Sequence, residues 1–250
     1  MKVTVTILIP ALNEEQALPD TIASLLALDP RPDRIILADG GSGDSTQDMA
    51  RMAGIEVLAC SKRGRGAQIN AGVAASDSEI VCVLHADTLL PVDAVSLMRS
   101  AMADTGIALA SFMPRICGAT RTRWGSTLNN LAKTWYVPLL FRPHLFLRGV
   151  RLLFGDHAMF FRREQFLAIG GCDERAVVLE EVGLCIGLAR FGRTRMVRRW
   201  ARTSDRRIVA FSIGLCRGKI TGLGRISQRP GGQIRCHITL GKAAHGHRAI

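Results

Sequence analysis

The chain has 250 residues, 48% of them hydrophobic and 22% charged, which is enough to bury the core of one large α/β domain and ordinary for a soluble enzyme. Its seven cysteines are odd in number, widely spaced and free of any C-x-x-C pair, which excludes a disulfide framework and a zinc ribbon and fits a reducing cytoplasm. The formal charge of +12 is uneven: from Arg190 onward fifteen Lys and Arg face a single acid, Asp205.

That basic half favours anionic partners, whether nucleic acid, an anionic membrane surface or phosphorylated ligands. It lacks the alternation of aromatic and basic residues found in RNA-binding sheets, which argues against nucleic acid. The apolar run at 3–11 is cut off by Asn13-Glu14-Glu15 and lacks the length and cleavage pattern of a signal peptide. The most apolar later stretch, 136–161, is interrupted by Arg142, Arg148 and Arg151. It is too broken to span a bilayer but compatible with lying on one. The expected location is the cytoplasm, with the inner face of the membrane as the alternative.

In chain order, VTVTILI at 3–9 is rich in β-branched residues and predicts a buried strand, ended by Pro10. A helix follows with Ile22, Leu25 and Leu26 on one face, stopped by Pro30 and Pro32. RIILA at 34–38 predicts a second strand running into Asp39-Gly40-Gly41-Ser42-Gly43-Asp44, where Asp44 or Ser45 can cap the next helix and Gln47 can reach back. The cycle repeats with a strand at 56–59, the glycine-basic loop Lys62-Arg63-Gly64-Arg65-Gly66, a helix at 67–75 and a strand at 79–84. A helix at 92–103 and a strand at 107–112 come next, then a less regular stretch containing Trp124 and Trp135. The pattern recovers at GDHAMFF (155–161), with the turn Gly170-Gly171-Cys172-Asp173-Glu174 and a helix opening near Glu180-Glu181. Beyond Arg207 periodicity fades into glycines among arginines, which predicts a loosely ordered segment.

Strands alternating with helices at this spacing predict an α/β fold with a mostly parallel, doubly wound sheet and flanking helices. Ligands of such sheets sit beyond the carboxyl ends of the strands, where Asn13, Asp39, the basic loop, His85 and Asp87 all fall. Asp39 fits an acceptor for a base or ribose, and equally an Asx turn. Asp87 fits a ligand for Mg²⁺ or Mn²⁺ sharing a diphosphate, and equally a turn cap. His85 reads as a core-edge histidine. Lys62, Arg63 and Arg65 suit a diphosphate cradle or a solvated basic loop. Glu180-Glu181 suits a general base or a complement to the helix dipole.

Taken as an ordered series, ILIPALNEE, LADGGSGDST, KRGRGAQINAG, VLHADT, GDHAMFFRREQFLAIGGCDE and LEEVGLCIGLARFG resemble family 2 glycosyltransferases of the GT-A, nucleotide-diphospho-sugar transferase fold. The resemblance extends to the bacterial subgroup associated with radical-SAM/selenodomain proteins, which carries HADT where most relatives carry D-x-D. It spans residues 3–207, implying one domain over 1–207 with a nucleotide-binding half at 1–90 and an acceptor half at 91–207, followed by a basic glycine-rich segment at 208–250. It implies that Pro10, Asn13, Glu14, Asp39, Gly41, Arg63, Arg65, Asn70, His85, Ala86, Asp87, Arg206 and Arg207 bind a nucleotide-sugar donor. Within that set Asp39 meets the nucleoside, Asp87 holds the divalent cation and the Arg206-Arg207 pair closes over the diphosphate. Gly155, Asp156 and His157 fall on the acceptor side, with histidine where glutamine is commoner. Glu181, with Glu180 beside it, takes the place of the aspartate that serves inverting members as base. The expected activity is therefore metal-assisted, inverting transfer of a sugar to an acceptor hydroxyl, with a lipid-linked acceptor and an anionic membrane as candidate partners. The rival readings are a silent nucleotide-binding or scaffold protein of this fold and, below it, a nucleotidyltransferase, whose G-x-G-x-R loop is replaced here by PALNEE.

Overall fold

A computed structural model describes residues 2–118, 120–153, 157–174 and 180–206, together with the backbone of two strands at 225–228 and 234–237. Contacts divide the chain into a unit of residues 1–204 and a second of 205–250. The first unit runs β1 (Val5–Ala11), α1 (Leu18–Leu26), β2 (Arg34–Asp39), α2 (Thr46–Met52), β3 (Glu56–Ala59), α3 (Arg65–Ala75), β4 (Ile80–Val83), β5 (Thr88–Leu89), α4 (Ala94–Met102) and β6 (Ile107–Cys117). It continues through α5 (Trp124–Phe141), α6 (Pro143–Leu147), β7 (Met159–Arg162), α7 (Arg163–Ala168), α8 (Glu180–Leu188) and β8 (Arg193–Ser204).

The strands form one sheet in the order β3-β2-β1-β4-β7-β6-β8-β5. β1 lies parallel to β2 and β4, β2 to β3, and β6 to β8. β7 reverses between β4 and β6, and β5 runs against the end of β8. The mixed α/β class is thus the one the alternating pattern predicted. β1, β2 and β4 are apolar on both faces because both faces are covered. Val5, Ile7 and Ile9 pack with Leu18, Ile22 and Leu25 of α1 and Val95 and Met98 of α4. Leu8, Ile36, Val81 and Val83 pack with Ile69 and Val73 of α3, Phe166 of α7 and Leu184 of α8. On α3 the contact is close: a Cβ on Gly72 would stand 2.1 Å from Leu8 Cδ1.

Three expectations are corrected. Leu26 faces solvent at 43% exposure while Leu18 and Thr21 complete the buried stripe of α1, since Leu26 lies a further 100° round from Leu25. The stretch read as irregular is α5, eighteen residues long. Its buried positions are Thr127, Thr134 and Pro138, whereas Trp124, Leu128, Trp135, Leu139 and Leu140 are exposed, so apolar periodicity points away from the packed face. In the second unit, β9 (Arg225–Gln228) and β10 (Ile234–His237) pair antiparallel where no strand was anticipated. RISQ and IRCH hold one or two apolar residues among polar ones, so no apolar run marks them as strands. Among the described residues no helix is long and apolar enough to cross a membrane.

Candidate active site

Strand register builds the site. Ala11 lies level with Asp39, Asp39 with Ala59, and Leu8 with Val83, so the carboxyl ends of β1, β2, β3 and β4 open on one edge. The polar residues that follow each strand share the crevice that this topology creates.

The loops after β1 and β2 are bonded to each other. Asn13, at φ +54°, takes a hydrogen bond from the Gly43 N–H at 2.9 Å, while its own N–H donates to Ser42 Oγ at 2.9 Å. The Glu14 N–H donates to Thr46 Oγ1 at 2.8 Å, and the Ser45 N–H to Glu15 Oε2 at 3.1 Å. The N-cap of α2 is Ser45, whose side chain makes no capping bond, while Asp44 just before it accepts from the Thr46 N–H at 3.0 Å, and Gln47 does not reach back to the cap. Its Nε2 donates instead to Asp39 Oδ2 at 2.7 Å.

Asp39 is fully buried, and its carboxylate also accepts from the Gly41 and Ser42 N–H groups at 2.9 and 3.0 Å and from the Ser42 hydroxyl. Burial pushes its pKa up, but the Ser42, Gly41 and Gln47 hydrogen bonds outweigh this and hold the carboxyl below its ordinary range. The Asx-turn alternative is therefore realised, and the turn it fixes carries Gly41 at φ +91°. A Cβ on Gly41 would lie 3.7 Å from Arg63 Nε, so the guanidinium folds over this turn.

The HADT segment is anchored through its backbone. The Leu84 N–H donates to Leu8 O at 2.9 Å, Thr88 N–H to His85 O at 3.0 Å, and Ser204 N–H to Asp87 O at 3.1 Å. Thr21 Oγ1 donates to Ala86 O at 2.7 Å, and Thr88 Oγ1 to Thr203 Oγ1 at 3.1 Å. With each carbonyl from His85 to Asp87 engaged, the side chains of His85 and Asp87, 4% and 8% exposed, are preorganised at the strand end. Among the described residues no group of three or more His, Cys, Asp or Glu could hold a metal ion.

The basic loop joins this edge to α8. Arg65 Nη1 lies 3.3 Å from Glu181 Oε1, with the two side chains 32% and 10% exposed. Arg65, His85 and Glu181 line one small cavity of about 10 Å³ together with Met159 and Cys172, room for one water at most. Three sequence motifs, two of them twenty residues apart and the third, at Glu181, 116 residues beyond Arg65, thereby meet at one point. Glu180 opens α8, and its side chain lies outside the described residues.

Other expected contacts are used differently. Lys62, its side chain 70% exposed, is paired with Glu174 at 2.7 Å. The Asn70 amide clamps the Gly170–Glu174 turn, donating to Cys172 O at 2.9 Å and accepting from its N–H at 2.8 Å. Gly171 (φ +75°) permits this, since a Cβ there would lie 2.5 Å from Asn70 Oδ1. His157 is fully buried beside Thr134 Oγ1 at 3.3 Å. Gly155, Asp156 and Arg207 lie outside the described residues, and Arg206 belongs to the second unit.

Several organising residues were not anticipated. Gln68 Nε2 donates to Ala11 O at 2.6 Å and Ala38 O at 2.9 Å, pinning the ends of β1 and β2. Its signal was a polar side chain on the apolar face of a glycine-rich helix. Thr21, Thr203 and Ser204 support HADT from α1 and β8, and nothing local in the sequence marks them.

Comparisons with known proteins bear on this geometry. Residues 6–170 match Glycosyl transferase family 2. Glycosyltransferases described as uncharacterized, from Mycobacterium tuberculosis and Mycobacterium bovis, are 29% identical over 174 residues, covering 69% of this chain and 73% of theirs. Glucosyl-3-phosphoglycerate synthase from M. tuberculosis, solved with Mn²⁺, UDP and phosphoglyceric acid, superposes with a TM-score of 0.63 at 20% identity over 96% of this chain and 88% of its own. The same enzyme has been solved with Mn²⁺ and UDP-glucose. S. aureus TarS (residues 1–349) superposes with a TM-score of 0.60 at 12% identity over 85% of this chain and 64% of its own.

Proposed function

The chain belongs to glycosyl transferase family 2, and from that membership we propose that it passes a sugar, with inversion, from a nucleoside-diphosphate donor to an acceptor hydroxyl, using Asp87 to hold a divalent cation, Mn²⁺ or Mg²⁺, on the donor. The observation that carries this reading is the convergence of Arg65, His85 and Glu181 on one cavity beside the anchored HADT segment. The acceptor oxygen attacks the anomeric carbon, its proton passes to a Glu181 carboxylate oxygen, and the bond to the diphosphate breaks with its electron pair leaving on phosphate oxygen. Arg63 and Arg65 face the charge that develops on that leaving group, where fixed donors in a water-poor site are worth most. A bound cation would supply further Lewis-acid stabilisation of the diphosphate. Asp39 braces the turn beneath the nucleoside, and Glu14 and Ala86 border the same crevice.

The acceptor is proposed to be lipid-linked, met at the inner face of an anionic membrane. Residues 105–155 contain seven Lys and Arg and no acid, and across α5 and α6 Leu139, Leu140, Phe141 and Leu147 are 47%, 69%, 74% and 82% exposed. An apolar and cationic surface of that kind favours an anionic bilayer.

The test is a thermal-shift and turnover screen of UDP- and GDP-sugars with and without Mn²⁺. A donor that raises the melting temperature only with the cation, and releases nucleoside diphosphate in the presence of an acceptor, supports the reading. No stabilisation by any donor, or an Asp87→Ala protein with undiminished turnover, would falsify it, and tight binding without turnover across the panel would favour the silent alternative.

A further inference from the structure

We propose that a cavity of about 490 Å³ at the amino end of β8, which shares no lining residue with the Arg65–His85–Glu181 cavity, is a second anion site that takes a phosphate ester. Its volume lies in the range of small-ligand sites. Arg151, Arg193, Arg195 and Arg198 line it, with Asp104 the one acid among the described lining residues. Arg193 lies 3.6 Å from Asp104, whereas neither Arg195 nor Arg198 has a carboxylate within ion-pair distance among the described residues.

The arrangement is built, not merely crowded. The Arg151 guanidinium lies between Trp135 and Phe146, 4.6 and 4.0 Å from their ring centroids, and its Nη1 donates to Phe146 O at 3.0 Å and Val150 O at 2.8 Å. Those contacts fix its plane while, among the described residues, Nη2 and Nε make no hydrogen bond. The register of β8 on β6 passes from Val197 opposite Phe112 to Trp200 opposite Met113, so Arg198 and Arg199 form a bulge. A bulge re-aims side chains: Arg199 turns to Asp93 at 3.0 Å, and Arg198 reaches the cavity. Gly149, at φ +83°, admits the Arg193 stem, whose Cγ would lie 3.0 Å from a Cβ there.

Four guanidinium groups around one cavity repel one another across less than a Debye length, and an anion relieves that cost. Arginine forks match phosphate oxygens in pairs, and Trp135 offers an apolar wall for the organic part of the ester. The sheet register sets Met196 of this cavity level with Ser111, Met159 and Val83, and the cavity shares no lining residue with the one formed by Arg65, His85 and Glu181. Donor and phosphate ester would therefore contact different side chains. The ester could be a lipid headgroup or a soluble metabolite, and the two sources share this recognition chemistry.

The experiment titrates the full chain with inorganic phosphate and glycerol 3-phosphate, following tryptophan fluorescence, and separately with vesicles of phosphatidylglycerol or phosphatidylcholine. Saturable binding that is lost in Trp135→Phe fluorescence, weakened about tenfold or more in Arg195→Ala/Arg198→Ala, strengthened in Asp104→Asn and indifferent to UDP supports the site. Binding of the soluble probes assigns a metabolite; a response confined to phosphatidylglycerol vesicles that the arginine pair abolishes assigns a headgroup. Binding unchanged by the double substitution, competed by UDP, or absent with all probes overturns the proposal. Leu139→Asp/Leu140→Asp tests the α5–α6 membrane reading separately, because it removes vesicle binding through that surface and leaves the response to soluble phosphate in place.

Discussion

Replacing Asp39 with alanine removes, in one step, the shared acceptor of the Gly41 and Ser42 N–H groups, the Ser42 hydroxyl and the Gln47 amide. A hydrogen bond to a charged group contributes about 1.5–3 kcal/mol when its loss leaves a buried donor unpaired. Here Gly41 is exposed and Ser42 and Gln47 are half-buried, so water takes over part of the bonding and the expected loss is about 3 kcal/mol rather than the sum of four full terms. Asp39→Asn keeps an amide oxygen for the three nitrogen donors and turns its amide group to the Ser42 hydroxyl, which can reverse and accept; the loss of charge alone should cost about 1 kcal/mol. The pH dependence follows. The folded pKa lies below the ordinary value of 3.8, so the contribution is fully present above that value and fades as pH falls through the folded one. Urea denaturation at neutral and acidic pH, with UDP affinity measured in parallel, tests this. If Asp39→Ala unfolds at the wild-type urea concentration with the wild-type slope yet loses UDP affinity, Asp39 is a direct ligand contact and the bracing argument is wrong.

Glu181→Gln should lower kcat by about 10²–10⁴-fold with donor-induced thermal stabilisation retained, and a loss of stabilisation without loss of kcat would reassign Glu181 to donor binding. Gly72→Ala brings a methyl group to 2.1 Å from Leu8 Cδ1 and should destabilise by about 1–3 kcal/mol in urea; Leu8→Ala in the same chain should make the substitution less costly, and purely additive effects would contradict the close contact. Asn70→Ala frees the Cys172 backbone from two hydrogen bonds and should cost about 2 kcal/mol while leaving nucleotide affinity within a few-fold, which a nucleotide-contacting Asn70 would not allow.

The parallel half of the fold was legible because each of β1, β2 and β4 is an apolar run closed by a polar turn, and the crevice followed from where those runs end. The place of Asp87 just beyond the end of β4 was legible for the same reason. What escaped has a common physical cause, dependence on partners remote in sequence. Whether Asp39 binds a ligand or its own turn is decided by Gln47 and Ser42, and the partner of Glu181 lies 116 residues earlier at Arg65. Asn70 looked available for a ligand until the Gly170–Glu174 turn folded onto it. α5 escaped because it buries hydroxyls and a proline while presenting tryptophans and leucines to solvent, the reverse of the signal that periodicity reads.

β7 runs against both of its neighbours, and the reversal has an architectural consequence. Met159 opens β7 opposite Val83, the last residue of β4, so the segment joining β6 to β7 is delivered to the same rim that carries His85 and Asp87. β6 carries the chain to that rim and β7 carries it away again, with the parallel strands left untouched. α5 and α6 are thus inserted between two strand ends of the sheet without interrupting β1, β2, β3 or β4. A substitution confined to α5 or α6 can therefore change the side chains beside that rim and leave the register of the four parallel strands intact.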